Sequence, residues 1–552
     1  MNILFPIILG SILLAAGYFF YGVILSRLLR LRHDFKTPAH EFKDGLDFEP
    51  ANKFYLLGQH LSAIAAAGPI VGPILAGMWF GWVPTFLWII FGGIFIGGAH
   101  DMITIVASIR HQGKSVAEVI KANMSRRAFM LFLLFLWFSL IYIITAFTDI
   151  TASTFVNGTR GASVASASMM YLMLALTMGI VLKMFKPSLL IATLIFCPIV
   201  FLCIYLGQFI PFNMPSLFGF DIHITWDIAL IGYCFIAAVI PVWLLLQPRG
   251  YLGGFFLTFT AGLSFIGILI GGITRNLTIQ CPAFIGWFNP GGFPMLPVLF
   301  ITVACGACSG FHAIVSSGTT SKQISKETDS KLIGYGGMLL ESFVAIIALS
   351  TVLILSSGQS QSLKDPGMIY ANGIAVFLSS LGINKEFALN FALLAFATFV
   401  FDTLDVATRL GRYIFEELTA WRGRATPYLA AFITLALPAF FVTRKMVDAQ
   451  GNSIPAWQYF WTIFGASNQL LAAVVLLGLS VWLFKNKMKY MVTLLPALFM
   501  MIVAVISLFF ILKAFTLNTI SITGLALLIL AGMLTIEGIK IFFNGRASFM
   551  RK

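Results

Sequence analysis

Charged residues are scarce in this chain: only 10% of its 552 residues are Asp, Glu, Lys or Arg. Soluble domains carry about 25%. Hydrophobic residues make up 59% of the sequence, and the mean hydropathy is +0.94. Polar stretches are no longer than about thirty residues, which is too short for an appended soluble catalytic domain. The composition predicts an all-α polytopic membrane protein.

Basic residues outnumber acidic residues by 35 to 21, which gives a formal net charge of +14. They lie mainly in the short loops between apolar runs, as the positive-inside rule describes for membrane proteins. The charge is therefore assigned to topology in a lipid bilayer, and no nucleic-acid partner is expected.

The sequence lacks several motifs that are typical of enzymes and of disulfide-bonded domains. The six cysteines are scattered and mostly lie in apolar runs, so no disulfide framework is expected. Cys305 and Cys308 form a C-x-x-C, but small neighbours favour a packing role over redox or metal chemistry. The sequence contains no G-x-x-x-x-G-K-[ST], H-E-x-x-H or G-x-S-x-G motif. We expect no enzyme activity and no cofactor.

Long apolar runs are abundant, and a membrane span needs about 20 such residues. They predict about fifteen transmembrane helices, near residues 3–26, 54–80, 83–109, 128–148, 163–182, 187–210, 226–246, 251–273, 297–316, 333–357, 386–408, 425–443, 458–484, 490–513 and 522–543.

The segment 370–383 is shorter and is predicted to be re-entrant or interfacial. If it does not span, the positive-inside rule is best satisfied with the N-terminus outside and the C-terminus in the cytoplasm. Basic residues follow the first apolar run instead of preceding it, so this run is predicted to be a retained span, not a cleaved signal peptide.

Two Gly-Pro pairs, Gly68-Pro69 and Gly72-Pro73, interrupt an otherwise apolar span. Proline breaks or kinks a helix. In a membrane, a broken helix is tolerated where it packs in protein or lines a polar cavity, and transporters hold substrates and ions at such breaks. The span 297–316 is disrupted similarly and is predicted to run in the opposite direction. Two disrupted spans of opposite direction suggest an inverted repeat. The alternative interpretation of the Gly-Pro break is a kinked helix that serves only packing.

Polar residues cluster in and after the second disrupted span. Ser309, His312 and Ser316 share one helix face by their spacing. The hydroxyl-rich run that follows offers donors for a carboxylate or an ion, although a solvated helix end is the alternative. The predicted substrate-binding residues are His60, Gly68, Pro69, Gly72, Pro73, Ser309, His312, Ser316, Ser317, Thr319 and Thr320.

Ionisable groups inside spans need a role, because each costs at least about 2.5–3.5 kcal/mol at the bilayer centre. Asp402 follows three apolar residues, and such surroundings favour a carboxyl group that carries a proton. Asp405 and Arg409 are spaced as a structural ion pair. Asp149 lies near a span end and is expected to be exposed. The predicted ion-coupling residues are Asp402, Glu341, His100 and Asp101.

Six stretches of the sequence resemble the carbon starvation protein A family of bacterial peptide and pyruvate transporters. They spread from residue 44 to 473 and read DGLDFEPANKFYLLGQHLSAIAAAGPIVGP, LWIIFGGIFIGGAHDM, VACGACSGFHAIVSSGTTSKQI, GYGGMLLES, FDTLDVATRLGRYIFEE and FWTIFGASNQLLAA. The chain departs from the family where two adjacent histidines are common, since it has Gln59 before His60. Any proton handling by the first histidine is therefore lost here.

The resemblance implies a secondary active importer of small peptides or pyruvate, driven by the proton gradient, for nutrient scavenging in the bacterial inner membrane. It also implies a five-plus-five inverted-repeat core with broken helices. We expect one transmembrane transporter domain over 1–552, with its core at 44–484 and peripheral helices at 1–28 and 490–543. The rival hypothesis is a membrane-embedded metal-binding enzyme or nutrient sensor that uses His60, His100 and Asp101; the sequence does not identify a metal.

Overall fold

A computed structural model describes residues 1–514 and 524–540 of the chain, with gaps at 45–47, 66, 124–125, 157, 218, 357–364, 445, 448–452, 531, 534 and 538–539. Nearly all of the described chain is helical, as the composition predicts.

The first half of the chain forms eleven helices. They are α1 (Leu4–Leu28), α2 (Pro38–Glu41), α3 (Lys53–Ile64), α4 (Gly68–Phe80), α5 (Trp82–Arg110), α6 (Val116–Asn123), α7 (Arg126–Phe155), α8 (Gly158–Phe185), α9 (Leu189–Gly207), α10 (Ile222–Val239) and α11 (Leu246–Thr274).

The second half begins with three short helices and ends in longer ones. They are α12 (Met295–Thr302), α13 (Ala304–Ala307), α14 (Gly310–Gly318), α15 (Glu327–Leu353), α16 (Pro366–Ser379), α17 (Lys385–Thr419), α18 (Thr426–Val442), α19 (Ala456–Lys485), α20 (Met491–Ala514) and α21 (Gly524–Glu537). A short antiparallel ribbon, β1 (Met446–Val447) with β2 (Ser453–Ile454), joins α18 to α19.

Eleven described helices are long and apolar enough to cross a membrane, and the bent pair α3 and α4 makes a twelfth span. The protein is therefore a polytopic membrane protein, but the expected count of about fifteen is not confirmed. Of the other three predicted spans, 297–316 is divided among α12, α13 and α14, while α18 and α21 are shorter apolar helices. The segment 370–383 falls largely in α16, whose 14 residues are fewer than a span needs.

The two disrupted spans are broken where the sequence predicts. The chain bends by 48° between α3 and α4, because Pro69 and the glycines beside it cannot continue the preceding helix. The second span leaves helical geometry at Val303 and again at Cys308 and Ser309. The broken spans pack together, α4 against α12 and α13, and α3 against α14.

The longest described helix, α17, contacts many of the other helices. It packs against α7, α10, α11, α16 and α18, and also contacts α3. Helix α3 also lies so close to α11 that a side-chain carbon at Gly254 would overlap the carbonyl of Gly58. Glycine is required at this crossing, and the close approach brings polar residues of three helices together.

Candidate functional site

A small cavity lies among α3, α11, α17 and the turn that follows α14. A water-sized sphere has about 10 Å³ of free space there, room for about one water molecule. Its polar lining residues are Gln59, His60, Ser62, Arg249, Thr319, Thr320, Asp402 and Asp405. These residues come from four separate parts of the sequence, and only the helix crossings bring them together.

Arg249 is the centre of this lining and is only 3% exposed. Its Nε lies 2.9 Å from Oδ1 of Asp402. Its Nη1 contacts Oδ2 of Asp405 and donates to the Tyr233 hydroxyl. The guanidinium also lies over the Phe401 ring, 4.3 Å from its centroid. We call Arg249, Asp402, Asp405 and Tyr233 the arginine cluster.

Neighbouring groups hold the arginine cluster in place. The Tyr171 hydroxyl donates to the carbonyl of Arg249 at 3.0 Å, and the Ser62 hydroxyl donates to Oδ2 of Asp402 at 2.5 Å. A side-chain carbon at Gly253 would overlap both the Asp402 carboxylate and Ser62. The carboxylate therefore occupies space that only glycine leaves open.

The predicted ion pair between Asp405 and Arg409 is wrong. Asp405 pairs with Arg249, whereas Arg409 donates to the carbonyls of Ala237 and Ile240 at 2.6 and 2.5 Å. Those carbonyls lie at the end of α10, where the last carbonyls of a helix have no N–H donors of that helix to bind. Asp405 thus pairs with Arg249 on another helix, and not with Arg409 four residues further along its own helix.

Arg249 is not among the predicted site residues, because the predicted span starts at residue 251 whereas α11 begins at Leu246. A usable signal was present: the arginine stands directly before the run Gly250–Gly254, which is apolar apart from one tyrosine. An arginine one turn inside a span requires a partner for its charge.

His60 and the hydroxyl run meet at the cavity. The Nδ1 atom of His60 lies 2.9 Å from the Thr320 hydroxyl, and both residues are buried. Thr319 lines the same space. Of the predicted substrate-binding residues, the structure brings His60, Thr319 and Thr320 to the cavity that Arg249 lines.

The Gly-Pro residues are not among those that line this cavity. A side-chain carbon at Gly68 would overlap Cys305, and one at Gly72 would overlap the carbonyl of Thr302. Gly68 and Gly72 therefore let the two broken spans cross closely. The four Gly-Pro residues do not share the small cavity with His60 and Thr320, as the predicted cradle requires. The close packing of α4 on α12 and α13 fills the space beside the break.

A second group of ionisable side chains is fully buried and lies on other helices. The Nδ1 atom of His100 is 2.7 Å from Asp101 Oδ1, and Asp101 Oδ2 is 2.9 Å from His312 Nδ1. The other ring nitrogen of His312 is 3.2 Å from Glu341. All four side chains are fully buried. We call them the histidine chain; it joins α5, α14 and α15.

Two of these helices carry a π-helical turn just before their ionisable residues. One covers Gly92–Gly97 in α5, and the other covers Lys331–Gly336 in α15. Such turns are frequent at functional sites. Glycine is required at Gly97, because a side-chain carbon there would overlap the carbonyl of Ala307. The turns let α5 approach the second broken span closely.

Two of the three predicted serines, Ser309 and Ser317, bond to neighbouring helices. Ser309 exchanges hydrogen bonds with Asn468 at 3.0–3.2 Å. Ser317 accepts from the amide of Val116 at 2.8 Å. Ser316 is buried and lies one turn after His312. Within the described residues, none of the three is among the side chains that line the small cavity.

A larger cavity begins on the other side of the hydroxyl run. A water-sized sphere has about 460 Å³ of free space in it. It is lined by Ser317, Gly318 and Lys322, together with residues of α17 such as Leu410 and Glu417, and by residues of α6. The hydroxyl run and α17 therefore border both cavities, and a side-chain carbon at Gly318 would lie 2.9 Å from Leu410.

The predicted metal group of His60, His100 and Asp101 does not converge. Within the described part of the chain, the one group whose ligand atoms lie close enough together to hold an ion is Asp149, His223 and Asp227. Asp149 is only 2% exposed, so the expectation that it is exposed is also wrong. It is buried because α10 and the start of α19 cover it.

Comparison with known proteins identifies the family. The family description "Carbon starvation protein CstA" matches residues 2–370 and 359–507. The chain is 32% identical to the peptide transporter CstA of Helicobacter pylori, over 88% of this chain and 78% of that protein. It is 31% identical to the pyruvate/proton symporter BtsT of Escherichia coli, over 89% and 79%.

Solved structures similar to this one include crystal structures of an Eremococcus coleocola manganese transporter, with a TM-score of 0.46 and 15% identity over 89% of this chain and 95% of that chain. The family match spans residues 2–507, which contain all six stretches quoted above, and the sequence relatives cover 88–89% of the chain. The chain belongs to the carbon starvation protein CstA family.

Proposed function

We propose that this protein is a proton-coupled secondary importer of a small carboxylate-bearing nutrient, of the peptide or pyruvate class. Its sequence relatives are named for peptide transport and for pyruvate/proton symport. A peptide and pyruvate share one feature, a carboxylate. The observation that carries the proposal is a buried arginine at a cavity, paired with a carboxylate of the protein itself.

Arg249 is the group that binds the substrate carboxylate in this account. A guanidinium is always charged and matches a carboxylate with two parallel hydrogen bonds. Its Nε faces Asp402 at the cavity wall, while Nη1 is held by Asp405 and Tyr233. A substrate carboxylate takes the place of Asp402, and Asp405 with Tyr233 keeps the guanidinium in position.

Displacement of Asp402 supplies the coupling. Once Arg249 binds the substrate, the Asp402 carboxylate lies in a buried site without its cation. A buried charge without a partner is costly, so the displaced group takes up a proton. One anion and one proton then cross together, which removes the cost of moving a negative charge against the membrane potential, about 2.3 kcal/mol per 100 mV.

His60, Thr319 and Thr320 bind the remainder of the substrate. Their hydroxyl and imidazole groups face the same cavity as Arg249. Release proceeds toward the larger cavity, past the contact of Gly318 with Leu410. The small cavity holds about one water molecule, so a substrate requires the helices around it to separate.

The histidine chain is the second candidate for the proton site. Its four buried side chains contact one another in the order His100, Asp101, His312 and Glu341, so histidines and carboxylates alternate. A proton can move among such groups. We favour Asp402 because it lines the cavity in which the substrate carboxylate is proposed to bind.

The orientation and architecture follow the sequence analysis. We propose that residues 409–424 and 485–489 face the cytoplasm of a bacterial inner membrane, that 444–456 face outward, and that the N-terminus is outside. The C-terminal tail lies outside the described residues. The core at 44–484 is proposed to be a five-plus-five inverted repeat, with the bent pair α3 and α4 matched to α12, α13 and α14, and with 1–28 and 490–543 peripheral.

The test is uptake by proteoliposomes under an imposed proton gradient, with labelled pyruvate and a labelled dipeptide in parallel. We expect accumulation of at least one of them, abolished by a protonophore and strongly reduced in Arg249→Gln. Failure of both to accumulate with correctly folded protein in the vesicles would contradict the proposal and would favour a sensor or enzyme.

A further inference from the structure

A second buried acidic group lies at the junction of α7 and α10. Asp149 is near the end of α7, and His223 and Asp227 occupy the first two turns of α10. One possible ligand atom from each of the three lies within 4.8 Å of the others. None of the three is among the residues that line the small cavity, so this group has no part in the proposed transport chemistry.

The charges of this group do not balance. Asp149 is 2% exposed and Asp227 is 0% exposed. Within the described residues, the only cationic group at ion-pair distance from either is His223, 3.6 Å from Asp149 and 3.4 Å from Asp227. Even a protonated imidazole leaves one negative charge over when both carboxylates are ionised. A buried, unpaired charge of this kind is costly, and a cation or a proton must compensate it.

Asp227 gives the independent indication of a ligand. Neither of its carboxylate oxygens takes part in a hydrogen bond within the described part of the chain. Its Oδ2 nevertheless points at the imidazole of His223. The neighbouring carboxylate is different, because Asp149 Oδ2 accepts from the amide of Trp457 at 2.8 Å. The Asp149 carboxylate is thus oriented by a backbone amide. The Asp227 carboxylate has oxygens that accept no hydrogen bond from the described residues.

We propose that Asp149, His223 and Asp227 bind a divalent first-row transition cation of the Zn²⁺ type. Two carboxylate oxygens and one imidazole nitrogen are ligands that Zn²⁺ accepts, with water completing the shell. The imidazole favours Zn²⁺ over Mg²⁺, which prefers oxygen ligands alone. The three ligand atoms lie within 4.8 Å of one another. Nδ1 of His223 faces Asp227, while its Nε2 lies 3.0 Å from the Ser153 hydroxyl. The partial exposure of His223 provides an entry path.

The bound cation would link α7 and α10 directly, and α19 through Asp149. Asp149 belongs to α7, and it also fixes the start of α19 through Trp457. His223 and Asp227 belong to α10. The cation therefore holds three helices together at one end of the bundle, and this role is independent of the proposed transport of a carboxylate.

The experiment uses the purified full-length protein after removal of metals with a chelator. Titration with Zn²⁺, followed by calorimetry and by thermal unfolding, is expected to give one saturable site and a higher unfolding temperature. Mg²⁺ is expected to bind far more weakly. Asp227→Asn and the partly exposed His223→Gln should each lower Zn²⁺ affinity by at least about tenfold, since loss of even an outer-shell partner has an effect of that size.

The matched control is Asp221→Asn. Asp221 is exposed and caps α10 by accepting from the amide of Ile224 at 2.8 Å, and asparagine caps equally well. The substitution removes a nearby exposed charge but no ligand, so it should lower Zn²⁺ affinity by far less than about tenfold. The proposal is overturned if the folded wild-type protein shows no saturable Zn²⁺ site, or if Asp221→Asn weakens binding as much as His223→Gln does.

Discussion

The arginine cluster and the histidine chain are both buried groups of acids and bases, but they differ in the kind of base. In the arginine cluster, one guanidinium faces two carboxylates at the wall of a cavity. In the histidine chain, two imidazoles alternate with Asp101 and Glu341, and all four side chains have no exposure. The first group has a fixed positive charge, and the second has only bases that can gain or lose a proton.

This difference decides which group suits an anionic substrate. Arginine keeps its charge in any protein environment, so a substrate carboxylate can always exchange with Asp402 on Arg249. Histidine can become neutral when its surroundings disfavour charge. A group made of histidines therefore handles protons well but gives an anion no permanent partner. Of these two groups, the arginine cluster is the one that combines a fixed positive charge with a place on a cavity wall.

The largest effect is expected from Arg249→Gln. The substitution removes the proposed partner of the substrate and leaves Asp402 and Asp405 without their cation, which should cost about 3–5 kcal/mol of stability. We expect uptake to fall to background and the unfolding temperature to drop in detergent. The control is Arg160→Gln, which breaks an exposed pair with Glu386 and should change stability by less than about 1 kcal/mol. Equal uptake in both variants would remove the special role of Arg249.

A smaller effect is expected from Gly253→Ala, because the new methyl group would overlap the Asp402 carboxylate and displace it from Arg249. Overpacking of this kind costs about 1–3 kcal/mol. We predict weaker coupling of uptake to the proton gradient, measured as a lower accumulation ratio. Gly262→Ala is the matched control on the same helix, where no atom lies within 4 Å of the added carbon. A normal accumulation ratio in Gly253→Ala would contradict the assigned position of Asp402.

The smallest effect on coupling is expected from Glu341→Gln in the histidine chain. The amide has the shape of the acid but loses its ionic contact with His312, so we expect about 1–3 kcal/mol lower stability. The accumulation ratio should be unchanged. The surface substitution Glu386→Gln serves as the control for stability. If Glu341→Gln keeps substrate exchange but loses accumulation, the coupling proton binds in the histidine chain and the comparison is reversed.

Local features of the fold could be predicted from the sequence. The Gly-Pro pairs mark the break between α3 and α4, because proline lacks the amide hydrogen that a continuous helix uses. The small residues around Val303 and Cys308 mark the second break. The span count was less predictable, because the length of an apolar run does not reveal how it divides, as 297–316 does into α12, α13 and α14.

The site was only partly predictable, since its partners come from distant parts of the chain. His60 and Thr320 were expected to bind substrate, and the structure brings them within 2.9 Å of each other. Arg249 was missed, and Asp405 was assigned to Arg409, the partner nearest in sequence. Spacing along one helix reports only neighbours on that helix, whereas the crossing of α11 with α17 decides which charge Asp405 meets.

The central claim is that substrate binding transfers Arg249 from Asp402 to the substrate and that Asp402 then takes up a proton. It is tested most directly by adding pyruvate, or a dipeptide if that is the substrate, to purified protein in a weakly buffered solution containing a pH indicator. The account predicts the uptake of about one proton for each carboxylate that binds. Asp402→Asn should still bind substrate but take up no proton. Binding without proton uptake by the wild-type protein, or unchanged proton uptake by Asp402→Asn, would contradict the account.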